Sequence, residues 1–276
     1  MPVAHVNQTE LFHVEVGTGI PCLVMHGGLG LDHTHLHPWL DSLADLLKLV
    51  YYDHRGHGRS GRPPIETLTH EQFCRDANAL RQHLGFNQTA VIGHSYGGFI
   101  ALEYAVRYPE KLRYLILIDT APAYKHGAEI RENLNRRQPT QAMQEALRAH
   151  PSSDSQLKRS FFTVLPLYFH RFDARLAHRL FGRTIWSASA AACNQRLLRS
   201  FDVRSQIGQI TAPTLVVVGR DDFICPPSQA RVLHKSIPNS ELMVLQKSGH
   251  FPYVEEPEAF FEGVRNWIRK ALESAE

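Results

Sequence analysis

The sequence is poor in the residues on which several classes of protein depend. Only four cysteines occur in 276 residues, and none forms a CxxC pair, so thiolate metal sites, dithiol redox motifs and a disulfide framework are not expected. Basic residues exceed acidic ones by only three, and no zinc-finger, RNP or basic-zipper spacing is present, so we expect no nucleic-acid partner. With a mean hydropathy of −0.27 and no long apolar run, the chain is expected neither to span nor to bind a membrane.

The beginning of the chain carries no recognisable targeting signal. Its first eight residues lack the basic stretch and the following apolar core that mark a secretory signal. We therefore expect a cytoplasmic protein. Nothing in the composition indicates its oligomeric state.

Short apolar runs alternate with amphipathic segments along most of the chain. The runs typical of strands are Leu11–Val16, Cys22–Met25, Leu49–Tyr52, Ala90–Ile92, Tyr114–Ile118, Thr214–Val218 and Leu242–Leu245. The segments typical of helices are Glu71–Leu84, Tyr96–Arg107, Ser228–Ile237 and Glu256–Leu272. Continuous apolar runs bounded by Gly or Asp fit strands that are buried on both faces. The alternation predicts an α/β fold with a mostly parallel central sheet and helices on both faces.

One region interrupts this alternation. Residues 122–204 hold no strand-like run, but they include the helical stretches Ala128–Arg137 and Thr140–His150 and an aromatic-rich stretch, Phe161–Phe172. We predict that they form a helical cap, inserted between two strands of a core made of residues 1–121 and 205–276.

The strongest chemical signal is a Gly-x-Ser-x-Gly motif centred on Ser95. It directly follows the predicted strand Ala90–Ile92 and directly precedes the predicted helix Tyr96–Arg107. In this strand–turn–helix context the motif holds a serine in a strained turn with its hydroxyl exposed. An ordinary helix N-cap is the alternative for a serine at a helix start. The context favours a nucleophile.

A serine nucleophile needs a base and a carboxylate that orients the base. The order Ser, acid, His is expected after such a turn. Asp221 and Asp222 follow the predicted strand Thr214–Val218, and His250 follows Leu242–Leu245. These side chains are therefore expected at the carboxyl ends of strands, where open α/β sheets place their sites.

The chain as a whole resembles the α/β-hydrolases. In that family the acid follows the pattern Gly-x-x-Asp-x-x-x-Pro, which selects Asp222 over Asp221. Asp119 is a second rival. It follows the predicted strand Tyr114–Ile118, and some relatives take their acid from the end of that strand. The resemblance implies the triad Ser95, Asp222 and His250, and it implies no metal and no organic cofactor.

The glycine-rich segment from His26 to Gly30 resembles the oxyanion loop of this family. The resemblance implies that the N–H groups of Gly28 and Tyr96 hold the oxyanion. A phosphate-binding loop is the alternative for such a segment, but its glycine spacing and its lysine are absent. The block Asp53–Ser60 is also shared with the family. We expect it to buttress the site without a chemical step, with structural roles for its histidines His54 and His57.

Three alternating histidines, His33, His35 and His37, resemble part of the motif of metallo-β-lactamase-like lactonases. The match ends where that motif requires Asp-His, since this chain has His37 and Pro38 there. The segment also enters a predicted helix, Pro38–Leu47, on which alternate residues do not share a face. Capping or packing at the rim of the site is therefore favoured over a metal site.

Within the family, the nearest resemblance is to the proline iminopeptidase group, through His-Gly-Gly-x-Gly, Tyr-Tyr-Asp-x-Arg-Gly-x-Gly-Arg-Ser and Gly-x-Ser-Tyr-Gly-Gly. That group usually has proline at the position of Leu29, and it binds a substrate ammonium with cap carboxylates that cannot be matched here. From residue 125 to 204 the chain has fourteen Lys or Arg and six Asp or Glu, a charge that opposes cation binding. Glu129, Glu132 and Glu145 remain local candidates.

These observations predict a serine hydrolase that cleaves carboxylic esters or lactones, acyl-homoserine lactones among them, with a small-molecule acyl substrate as its partner. A proline iminopeptidase-type aminopeptidase is the alternative, and a non-enzymatic ligand receptor on the same fold is a third hypothesis. The aromatic stretch of the cap either lines an acyl pocket or forms the core of the cap. On the first interpretation, the substrate-binding residues are Phe161, Phe162, Leu165, Tyr168 and Phe169.

Overall fold

Eight strands form one sheet. The structure of the protein, a computed structural model, describes residues 2–273. The strands are β1 Val3–Val6, β2 Thr9–Val16, β3 Ile20–Met25, β4 Leu47–Tyr52, β5 Thr89–His94, β6 Leu112–Ile118, β7 Thr214–Gly219 and β8 Ser240–Leu245. Their spatial order is β1-β2-β4-β3-β5-β6-β7-β8. Strands β1 and β2 pair antiparallel at one edge, and all pairs from β4 to β8 are parallel.

Helices cover both faces of this sheet. They are α1 His70–His83, α2 Tyr96–Arg107, α3 Gly127–Arg136, α4 Gln141–Arg148, α5 Asp154–Val164, α6 Ala174–Phe181, α7 Ala188–Ala191, α8 Asn194–Ser200, α9 Pro227–Ser236, α10 Pro252–Glu255 and α11 Pro257–Glu273. Helices α1, α2 and α9 pack into the apolar core on one face, and α11 packs into the core on the other. Every residue of β5 and β7 is buried, as expected for strands covered on both sides. The predicted α/β fold with a mostly parallel sheet is confirmed.

The four cysteines lie in this apolar interior. All four are buried and free. Burial raises the pKa of the Cys22, Cys74 and Cys225 thiols above the ordinary value, which keeps these groups neutral. They therefore act as small apolar side chains. Within residues 2–273, no helix combines the length and the apolar character needed to cross a bilayer.

Two segments differ from the sequence prediction. Strand β1 was not predicted, because it is short and its faces are unequally buried, so it gives little periodic signal. The predicted helix Pro38–Leu47 is wrong. The segment forms a single 3-10 turn at Asp41–Leu43, and β4 begins at Leu47, which pairs with Ile20. Leu40, Leu43 and Leu47 have the spacing of one helix face and are buried, but a turn and a strand bury them instead.

A helical segment separates β6 from β7 and carries α3 to α8. Its two ends meet at the sheet. Ala123 and Asp202 form an isolated antiparallel bridge, and the Val203 N–H donates to the Pro122 carbonyl over 3.0 Å. Residues 122–204 are called the cap below.

Candidate active site

Ser95 occupies a strained turn between β5 and α2. Its φ of +54° and ψ of −119° lie in a region that non-glycine residues rarely adopt, and such strain is typical of functional sites. A hydrogen bond to the neighbouring strand β6 holds the turn, since the Ser95 N–H donates to the Ile118 carbonyl over 2.9 Å. A Cβ on Gly97 would come within 2.0 Å of the Met25 carbonyl oxygen, and one on Gly93 within 2.6 Å of the Gly97 oxygen. The glycines of the motif are therefore required by close backbone packing.

His250 and Asp222 are brought together from the ends of β8 and β7. The His250 Nδ1–H donates to Asp222 Oδ2 over 2.7 Å, which leaves Nε2 as the basic nitrogen. The other oxygen of Asp222 accepts the N–H groups of Ile224 and Cys225, at 2.9 and 3.1 Å. Burial opposes the charge of Asp222, but its contact with His250 and these N–H groups hold the pKa of Asp222 below its ordinary value. Asp222 is thus an ionised carboxylate suited to orient His250.

Neither rival acid takes this position. Asp221 points outward, where it pairs with Arg220 and His170. Asp119 is fully buried beside Asp222, and its Oδ1 accepts the Gly219 N–H over 2.9 Å. Burial, and next the negative charge of Asp222, raise the pKa of Asp119 well above its ordinary value, so both favour the protonated form of this carboxyl.

The loop after β3 lies against the serine turn. A Cβ on Gly27 would come within 3.0 Å of the Ser95 Cβ, and Gly28 has a φ of +56°, a conformation that suits glycine. Tyr96 is the first residue of α2, so its N–H has no acceptor within that helix. Gly28 and Tyr96 border one cavity together with Ser95 and His250. The arrangement places both predicted donors beside the predicted nucleophile.

Buried histidines brace this loop. The Gly27 N–H donates to His35 Nε2 over 3.3 Å, and His35 Nδ1–H donates to the Asp32 carbonyl over 2.8 Å. His26 accepts the His54 N–H at Nε2, and the His54 ring donates in return to the His26 carbonyl, each over 3.2 Å. Burial lowers the pKa of His26 to about 4 and that of His35 well below its ordinary value. Both rings are therefore neutral, as these bonds require.

The three alternating histidines serve three different partners. His33 Nδ1 contacts Asp53 Oδ1 at 2.7 Å, and His37 Nδ1 contacts Asp41 Oδ1 at 3.1 Å, whereas His35 holds the loop at Gly27. Since no two of these rings share a partner, the segment packs and braces.

One group of possible metal ligands is found within residues 2–273. His94, Asp119 and His250 each offer one atom, and these atoms lie within 4.8 Å of one another. His94 Nε2 donates to the His250 carbonyl over 2.9 Å, and His250 Nδ1 is engaged by Asp222. Because both histidines are engaged, and because burial and the charge of Asp222 oppose ionisation of Asp119, the donor set is poorly suited to a cation.

A cavity of about 140 Å³ contains the site. The core contributes Ser95, His250, the oxyanion loop and apolar side chains. The cap contributes Tyr124, Phe161, Tyr168, Asn194 and Leu198. Among the described residues that line it, none is an aspartate, glutamate, lysine or arginine. Neutral side chains therefore surround the serine.

The aromatic stretch of the cap divides between the two roles considered for it. Phe161 and Tyr168 border the cavity. Phe162, Leu165 and Phe169 do not, and they pack into the apolar core between sheet and cap. The aromatic density of the stretch does not separate the two sets, because both need apolar side chains. Asn194 and Tyr124 also line the cavity and were not predicted, because they belong to no motif.

Comparison with known proteins finds matches over most of the chain. The sequence model of the alpha/beta hydrolase fold matches residues 21–257. Proline iminopeptidase PfmaB of Pestalotiopsis fici is 29% identical over 258 residues, which cover 90% of this chain and 91% of the relative. A thermophilic esterase from Thermogutta terrifontis superposes with a TM-score of 0.77 at 26% identity, over 97% and 96% of the two chains.

An enol-lactonase from Burkholderia xenovorans has the same fold, with a TM-score of 0.77 at 24% identity over 97% of this chain and 100% of the other. The similarity to solved structures extends over nearly the whole of this chain, and the family match extends from β3 to α11. The chain belongs to the α/β-hydrolase fold family.

Proposed function

We propose that the protein is a serine hydrolase that cleaves small, uncharged carboxylic esters or lactones. The observation that carries this proposal is the cavity at Ser95, which is small and neutral. Its volume of about 140 Å³ is below the ~300–1,000 Å³ typical of sites for drug-sized ligands. A short acyl group fits such a space, whereas the long chain of many acyl-homoserine lactones does not.

The proposed reaction proceeds through an acyl-enzyme. Ser95 Oγ attacks the carbonyl carbon while His250 accepts the hydroxyl proton, and the N–H groups of Gly28 and Tyr96 stabilise the oxyanion. The intermediate collapses, the C–O bond to the leaving group breaks, and His250 returns the proton to the departing oxygen. Water then attacks the acyl-enzyme with His250 as base, which releases the acid and restores Ser95. Asp222 holds His250 in the required tautomer throughout.

An aminopeptidase of the proline iminopeptidase type is the second candidate, favoured by the similarity to PfmaB. Such an enzyme must bind a positively charged amine. The three candidate carboxylates of the cap already have other partners. Glu129 accepts from Ser228 Oγ over 2.6 Å, Glu132 pairs with Arg136, and Glu145 accepts from Gln141 over 2.8 Å. The neutral lining favours the ester or lactone.

A substrate panel tests the proposal. Purified protein and Ser95→Ala are assayed with p-nitrophenyl acetate, butyrate and octanoate, γ-butyrolactone, an acyl-homoserine lactone and proline p-nitroanilide. We expect the highest kcat/KM with acetate or butyrate and a fall of about tenfold or more at octanoate, since the longer chain exceeds the cavity. Ser95→Ala should remove at least about 10⁴-fold of the turnover.

Other results would change the assignment. If proline p-nitroanilide is the best substrate, the second candidate is correct. Turnover that survives in Ser95→Ala would exclude the proposed nucleophile. Saturable binding of these compounds without turnover, measured by calorimetry, would favour the receptor.

A further inference from the structure

Outside the triad, one half-buried carboxylate joins the loop of the catalytic histidine to the cap. Glu255, at the end of α10, accepts the Gly249 N–H at Oε2 and the His170 N–H at Oε1, each over 2.7 Å. Gly249 immediately precedes His250, and His170 lies in the cap. Each oxygen of the carboxylate therefore holds a different segment.

The two segments also contact each other directly. The His250 N–H donates to the Tyr168 carbonyl over 2.7 Å. A Cβ on Gly249 would come within 2.1 Å of the same oxygen, so only glycine allows this approach. The Tyr168 ring borders the cavity and lies 5.4 Å from the His250 ring. The base and a wall of the cavity are thus fixed by one set of bonds.

We propose that Glu255 is a positioning residue that, as a carboxylate, holds His250 and the cap segment Tyr168–His170 in their working arrangement. This inference rests on the proposed function, because it assigns the role through His250. The ionised carboxylate accepts both N–H groups. Once protonated, one of its oxygens carries the hydroxyl hydrogen and is a weaker acceptor, so one of the two segments is held less firmly.

The surroundings of Glu255 bring this change near neutral pH. Burial raises the pKa of Glu255 to about 7, against the effect of the N–H bonds that it accepts. The titratable and charged groups that face it come from the cap, from the end of β6 and from α10: His170, Arg137, Asp119 and Tyr253. Burial and the charge of Asp222 favour the protonated form of Asp119, which carries no charge. Activity should therefore rise as the pH rises through 7 and Glu255 ionises.

Glu256 provides a matched comparison one residue away. A single oxygen, Oε2, accepts both the Lys247 N–H and the Ser248 hydroxyl, at 2.6 and 2.7 Å. In Glu256→Gln the amide oxygen can keep both bonds. In Glu255→Gln the amide NH₂ must face one of the two N–H groups. The two substitutions remove the same charge but differ in the bonds they break.

The test uses an alkyl fluorophosphonate, which reports on Ser95 without a choice of substrate. Ser95 Oγ forms a bond to phosphorus, fluoride leaves, and His250 takes the hydroxyl proton. Labelling rates are measured from pH 5.5 to 9 for the wild type, Glu255→Gln, Glu256→Gln and the exposed Glu258→Gln. Thermal unfolding of each protein is measured in the same buffers.

We expect the wild-type labelling rate to rise as the pH rises through about 7, where Glu255 ionises. In Glu255→Gln, which resembles the protonated form, the part of the rise that Glu255 causes should be absent, and the rate at high pH should be about 10–100-fold lower, since a small displacement of a catalytic group costs that much. Glu256→Gln should label within about twofold of the wild type. Glu258→Gln should match it.

Identical pH profiles and plateaus for the wild type and Glu255→Gln would overturn the inference. So would a wild-type labelling rate that does not rise as the pH passes through 7, a result that requires no variant to fold. Equal losses in Glu255→Gln and Glu256→Gln would indicate a general effect of charge on the loop and would overturn it as well. If the wild type is not labelled at any pH, the proposed function itself fails.

Discussion

The core and the cap contribute to the site in different ways. In the core, the main chain fixes the reacting groups: Ser95 donates to Ile118, and Asp222 accepts two N–H groups. In the cap, α3 and α4 bury no residue completely, and the cavity receives single side chains from separate elements. The core therefore holds the candidate reacting groups through main-chain hydrogen bonds, whereas the cap adds single side chains to the wall of the cavity.

The largest effect should come from the acid of the core. Asp222→Asn should lower kcat by about 10³–10⁴-fold for every ester of the panel, because an amide favours the wrong tautomer of His250. Asp221→Asn is the control, since this side chain faces the surface, and we expect little change in kcat. Steady-state kinetics check both. Equal losses in the two variants would contradict the assignment of Asp222.

One glycine of the core and one of the cap should respond differently to an added methyl group. Gly97→Ala should lower the free energy of unfolding by about 3 kcal/mol, because its Cβ would lie 2.0 Å from the Met25 oxygen. Gly127→Ala, at the start of α3, should be neutral or stabilising by up to ~1 kcal/mol, since its nearest neighbour is 3.6 Å away. Urea unfolding measures both. Similar losses of unfolding free energy in the two variants would contradict the expected difference in packing between core and cap.

Two adjacent phenylalanines of the cap test the role of the cavity wall. Phe161→Ala should enlarge the cavity and raise kcat/KM for p-nitrophenyl octanoate relative to acetate about tenfold. Phe162→Ala should leave that ratio unchanged, because the ring packs into the core and does not border the cavity. A shift of the ratio in Phe162→Ala, with none in Phe161→Ala, would contradict the assignment of the wall.

The smallest effect concerns the attachment of the cap. Glu129 accepts hydrogen bonds from Ser228 and Gln229 of α9, so Glu129→Ala should lower the free energy of unfolding by about 1 kcal/mol. Glu132→Ala removes only an exposed ion pair with Arg136, worth about 0.3–0.5 kcal/mol. Thermal unfolding compares them. A larger loss in Glu132→Ala would contradict the role of Glu129 as the link.

The sequence predicted the core more fully than the cap for a physical reason. The bounds of α2 agree with its prediction, Tyr96–Arg107, because strand, turn and helix at Ser95 are encoded by neighbouring residues. At Pro38–Leu47 the same kind of periodicity failed, because leucines buried by a turn and a strand imitate one face of a helix. In the cap, Phe161 and Phe162 differ in no local property, so their separate environments had no signal.

The α/β class and the strand–turn–helix at Ser95 could be predicted from the sequence alone. So could the position of the candidate acids and of His250 directly after strands. These follow from local periodicity and from the geometry of short motifs. The packing of remote segments was needed to show that Asp222 contacts His250, that burial favours the protonated form of Asp119, that the cavity is small and neutral, and that Glu255 joins the His250 loop to the cap. Each of these depends on the distance between segments that are remote in the chain, and on the burial that their packing imposes.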